Sequence, residues 1–172
     1  TPLTPQEIDY DLARRQKGHG RGGRMSVERD MVQILSGIRR GKTLGSPIAL
    51  SITNRDWQSW TDVMSVEEIS TPIPDAAKIW IPRPGHADLA GMIKYNHVDM
   101  RNVLERASAR ETAARVAVGA VAKKILSEAG VKIASRVISI GDVSAKEVDL
   151  PVDQIISRTE ESLVRCLDGD AE

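Results

Sequence analysis

Three observations predict an α+β fold for this chain of 172 residues. Helix caps precede two stretches of helical apolar spacing, Pro5–Arg15 and 109–129. Short β-prone runs at 25–29, 31–35, 47–53 and 131–140 lie among them, cut by turn glycines. The helix over 109–129 carries alanine, valine or glycine on every side between Ala113 and Ala122, a composition that calls for burial among other layers rather than one solvated face. Helices and antiparallel sheet layers are therefore expected to alternate.

Composition bounds the function. Lys plus Arg and Asp plus Glu number 24 each, so no net field recruits nucleic acid or an anionic membrane, and any basic site is local. A single cysteine, Cys166, excludes an internal disulfide and a multi-thiolate metal site, which fits a reducing compartment such as the cytoplasm. No apolar run approaches the roughly 20 residues of a membrane span, and no metal-ligand spacing is present.

Thr4-Pro5-Gln6-Glu7 forms a capping box with proline at the first helical position, and Ile8 and Leu12 supply an apolar stripe over Pro5–Arg15. The following Lys17-Gly18-His19-Gly20-Arg21-Gly22-Gly23-Arg24 combines four glycines with basic residues. It reads as a loop that folds around a polyanion, as a solvated linker, or as an RGG-like RNA element. From 25 to 54 the runs suggest an antiparallel meander. Gly41-Lys42-Thr43 ends like a phosphate loop, but Gly37 stands one position too close for that motif, which is rejected. Residues 55–82 hold Trp57, Trp60 and Trp80 in an extended excursion.

Arg83-Pro84-Gly85-His86-Ala87-Asp88 is a turn leading into a weak helix over 89–95. It displays His86, a side chain that titrates near neutrality, at about pH 6.5 when unperturbed. A purely structural histidine is the alternative, for His86 as for His19 and His97. The longest helix opens at Arg106-Ala107-Ser108-Ala109-Arg110-Glu111-Thr112. Ser108 and Glu111 stand in capping-box relation, and Arg106 and Arg110 flank a helix start whose N–H groups and dipole favour an anion. Surface ion pairing is the competing reading of those arginines. Gly130 stops the helix, 131–140 reads as a strand, and 152–166 as a last helix.

Five segments, Arg14-Arg15-Gln16-Lys17-Gly18-His19-Gly20-Arg21, Ile34-Leu35-Ser36-Gly37, Gly41-Lys42-Thr43-Leu44-Gly45-Ser46-Pro47, the His86 turn and the 106–112 segment, together resemble chorismate synthase in order and spacing. The resemblance spans residues 1–172 as one partial domain, corresponding to the N-terminal half of the family's polypeptide without its extreme N-terminus. It implies long buried helices sandwiched between antiparallel sheets, assembled as a homotetramer. It implies a lyase of the shikimate pathway to aromatic amino acids. That enzyme converts 5-enolpyruvylshikimate 3-phosphate to chorismate by 1,4-anti elimination of phosphate, with reduced FMN and, in some members, NADPH as reductant. By position, Arg15, Arg21, Arg83, Ser108 and Arg110 match substrate contacts, and Arg106, Ala107 and Ser108 an FMN-binding segment. His86 matches a histidine that protonates or stabilises the reduced flavin. The expected partner is a small phosphorylated substrate, with no nucleic acid, metal or membrane, and the isolated chain is expected to be a poor catalyst. Two other classes stay open beside it: a noncatalytic self-associating unit and a basic-loop RNA-binding element.

Overall fold

The computed structural model describes residues 1–19, 29–68, 78–104, 106 and 108–172. Residues 25–28 of the β-prone run expected at 25–29, the loop residues Gly20 to Arg24 including Arg21, and Ala107 lie outside the described residues. The chain divides into two compact units, one formed by Thr1–Ile52 and Val116–Glu172 and the other by Thr53–Arg115.

The first unit begins with α1 (Pro5–Arg15), as its cap dictates: the Glu7 carboxylate accepts from the Thr4 backbone N–H at 2.8 Å. Ile8 and Leu12 are fully buried. Strand β1 (Val32–Ser36) pairs antiparallel with β4 (Ala49–Ile52), Val32 opposite Ile52, with the register slipping between Ile34 and Ser36. Asp9 of α1 accepts the Val32 N–H at 2.7 Å and ties helix to sheet. Gly37 follows the slip at φ +84°, and a Cβ there would stand 2.6 Å from the Pro47 carbonyl oxygen, so both backbone angle and space require glycine. The tail of the rejected phosphate loop is a hairpin: β2 (Ile38–Arg39) and β3 (Lys42–Thr43) turn through Arg40 and Gly41, both at positive φ.

Helix α4, so numbered after two helices of the second unit, spans Glu111–Glu128. Its burial differs from expectation. Ala113, Ala117 and Ala120 form one buried stripe, while Val118 is 65% exposed. Within the first unit α1 lies against it, joined through Lys123 to Asp11 at 2.7 Å and Lys124 to Glu7 at 2.9 Å. Those two ties reach one side of the helix within the first unit. Residues 131–140 also depart from the expected strand: β5 (Ser139–Ile140) pairs with β6 (Val143–Ser144), and Val137 makes a single parallel bridge to Cys166. Exposed Val131 and Ile133 have the right composition but no ladder neighbour among the described residues. The final helix, α5 (Val152–Glu161), ends five residues early because the Ser162 hydroxyl captures the Val164 and Cys166 N–H groups and Arg165 takes φ +62°.

Glu160 of α5 receives Arg14 of α1 and, at 2.6 Å, Arg165. Burial pushes the Glu160 carboxyl up, but the hydrogen bonds from the two arginines outweigh it and hold it below the ordinary range.

The second unit contains a 3-10 helix at Arg55–Trp60, then α2 (Asp88–Tyr95) and the short α3 (Arg101–Leu104). Met100 and Asp88 are fully buried. Gly91 lets α2 approach α3, since a Cβ there would fall 2.3 Å from Val103 Cγ1. Among the described residues no helix is long and apolar enough to cross a membrane.

Leu12→Ala is expected to lower the unfolding free energy by about 2–4 kcal/mol in a denaturant titration, whereas Val118→Ala changes it by less than about 1 kcal/mol.

Candidate active site

Most of the candidate residues lie in the second unit. The turn before α2 closes with the His86 N–H donating to the Arg83 carbonyl at 3.3 Å, and Gly85 takes φ +72° at its apex. His86 is exposed, and its Nδ1 lies 3.0 Å from the Pro84 carbonyl oxygen. A carbonyl only accepts, so Nδ1 carries the proton and Nε2 is the nitrogen left for proton exchange in the neutral ring.

Arg83 is held by Asp88 in a fork. Its Nε donates to Asp88 Oδ2 at 2.8 Å, its Nη2 to Oδ1 at 3.0 Å, and its backbone N–H to Oδ2 at 3.0 Å. The arginine side chain remains 41% exposed and the aspartate is wholly covered. The hydrogen bonds from Arg83 outweigh burial and draw the Asp88 carboxyl down to about 2. Arg83 Nη2 also reaches the Leu104 carbonyl at 3.4 Å, so the histidine turn is joined to the end of α3, just ahead of the 106–110 segment.

That segment is not the capped helix start expected. Ser108 Oγ accepts the Arg110 N–H at 3.1 Å, and the backbone passes through turns, Glu111 N–H to Ser108 carbonyl at 3.1 Å, before α4 begins at Glu111. The Glu111 carboxylate is drawn forward by Arg115 at 2.6 Å rather than back to the cap. The serine therefore stabilises an ST-type turn, the local competitor of a cap. Arg110 Nη2 donates to the Thr53 carbonyl at 2.9 Å, while Arg106 is exposed. In the first unit, Arg15 pairs with Asp30 at 3.0 Å, its side chain 6% exposed. Arg21 and Ala107 lie outside the described residues.

Chemically, the second unit offers an exposed imidazole with one nitrogen available, a planar cation on a buried carboxylate, and two further arginines beside a serine hydroxyl. This set suits an oxyanion that also exchanges a proton. Sequence reasoning had placed Asp88 only as a neighbour of His86. Its five-residue spacing from Arg83 across a glycine turn was the available signal for the fork. The Thr53 and Leu104 carbonyls carried no signal, because backbone acceptors have no residue type.

A turn displaying histidine and arginine is followed in this chain by an arginine- and serine-bearing approach to a long helix, on an α+β frame. The chorismate synthase family model matches residues 1–172. The chorismate synthase of Bacillus subtilis (strain 168) is 56% identical over 172 residues, covering 98% of this chain. That of Brevibacillus brevis is 53% identical over 171 residues, covering 99%. A crystal structure of chorismate synthase superposes with a TM-score of 0.70 at 43% identity over 98% of this chain and 42% of that one. The chain belongs to the chorismate synthase family and has its α+β fold in part. It spans 44% of the length of these curated relatives.

Replacing Asp88 with Asn should remove the charge that Arg83 requires. The native carboxyl titrates below its unfolded value of 3.8, so its contribution is complete above that pH and disappears as pH falls through about 2. Wild type is expected to exceed Asp88→Asn in unfolding free energy by about 2 kcal/mol at pH 7, with the gap narrowing from about pH 4 downward; urea titrations across pH measure it.

Proposed function

We propose that this chain is the part of a chorismate synthase that carries one wall of its active site. The proposed reaction is the 1,4-anti elimination of phosphate from 5-enolpyruvylshikimate 3-phosphate. The observation that supports this reading is the union, in one compact unit, of the His86 turn with the approach to the 106–110 segment through Arg83 and Leu104. The units are proposed to belong to a single domain of a cytoplasmic homotetramer.

In the elimination a carbon–oxygen bond to phosphate breaks, a proton leaves the opposite face, and a double bond forms. Negative charge accumulates on the departing phosphate. Arginine suits it because the guanidinium binds phosphate with two parallel N–H groups and keeps its charge throughout. Arg83, oriented by Asp88, and Arg110, oriented by the Thr53 carbonyl, are the proposed contacts in this unit, with the Ser108 hydroxyl beside them. Arg15 and Arg21 are proposed to complete the set.

FMN fits the residues present. The Ser108 oxygen is occupied as an acceptor, so its own proton is available to a phosphate oxygen, and exposed Arg106 supplies the charge; with Ala107 they are the proposed holders. Reduced FMN, when bound, supplies the reducing power this elimination needs although nothing is oxidised overall. His86, with Nδ1 fixed by Pro84, is proposed to hold or deliver a proton through Nε2. NADPH is a proposed source of reducing equivalents in members that reduce their own flavin.

The test is an anaerobic assay for chorismate with reduced FMN, on this chain and on a chain extended to the length of its relatives. Turnover by the longer chain and little by the shorter is expected; none by either overturns the proposal. In the active form, His86→Ala is expected to lower kcat at least about 100-fold while far-UV circular dichroism is unchanged.

A further inference from the structure

The second unit contains a guanidinium outside the set above whose surroundings are built but which forms no ion pair with a carboxylate among the described residues. Asn54 Oδ1 accepts the Asp56 N–H at 3.1 Å and starts the 3-10 helix, and Asp56 Oδ2 accepts Trp60 Nε1 at 2.9 Å. The indole is thus pinned at its polar edge. Over its ring lies Arg101, the guanidinium carbon 4.6 Å from the centroid. The Arg101 backbone is equally fixed: its N–H donates to Asp99 Oδ1 at 2.9 Å, the oxygen that also accepts the Ile79 N–H at 3.1 Å.

Arg101 Nε is buried and makes no hydrogen bond, the one side-chain atom so found among the described residues. Asp56 Oδ2 accepts from the indole, and Asp99 Oδ1 from two backbone N–H groups. A desolvated N–H without an acceptor is costly, and folded proteins rarely leave one unless a ligand or solvent completes it. A planar cation held over an indole loses little further freedom on binding, so its donors are prepared for an acceptor with matching geometry.

From this geometry we infer that Arg101, stacked on Trp60, binds an oxyanion, either a phosphate or a carboxylate group. The inference rests on the second unit alone and does not depend on the reaction proposed above.

Trp60 supplies the readout. In a Trp57→Phe, Trp80→Phe background, inorganic phosphate and, separately, acetate are titrated into the protein at constant ionic strength set with chloride, and Trp60 fluorescence is followed. A saturable response to either anion beyond the chloride control is expected, phosphate alone marking a phosphate site and acetate alone a carboxylate site. Arg101→Gln should weaken it at least about tenfold, and Arg101→Lys, which keeps the charge but loses the planar fork, by about threefold or more. No saturable response, or equal affinity in folded Arg101→Gln, overturns the inference. If Arg101→Gln does not fold, equal affinity in Arg101→Lys does so.

Discussion

Asp88 has no exposed surface, and among the described residues the charge it meets at hydrogen-bond distance is the guanidinium of Arg83. A buried carboxylate without such a partner would take up a proton or disrupt the fold. The second unit therefore depends on this fork. It fixes the turn that shows His86, sets the first residue of α2, and orients Arg83 so that its outer edge reaches the Leu104 carbonyl. One ion pair thereby determines both a local conformation and the direction in which charge is presented.

The first unit rests on α1 in a comparable way. Its apolar stripe, Ile8 and Leu12, forms the core, while its polar residues reach three neighbours: Asp9 to β1, Asp11 and Glu7 to α4, and Arg14 to α5. Those ties are mostly charged, and the apolar surface remaining on α4 is consequently large.

Among the candidate residues, sequence pattern reached residue type and order more readily than orientation. The glycine turn, the histidine and the flanking arginines all have compositional signals. What each arginine does with its donors has none. Arg83 faces a buried carboxylate, Arg110 a backbone carbonyl, Arg15 an aspartate, and Arg101 an indole with its Nε left over. Four chemically identical side chains thus meet three kinds of partner, a buried carboxylate, a backbone carbonyl and an indole, distinguished only by what the chain folds against them.

Local chemistry in the sequence was sufficient for α1, whose capping box and proline act within one turn, for the paired runs that became β1 and β4, and for the turn that displays His86. It also carried the family resemblance, through five motifs in order. Tertiary structure alone decided that Ser108 supports a turn instead of a helix cap, that 131–138 forms no strand and pairs only as a single bridge from Val137 to Cys166, and that only one stripe of α4 is covered. Each of those outcomes depends on a partner distant in sequence or on a competing hydrogen bond, and neither is encoded in the periodicity of the segment itself.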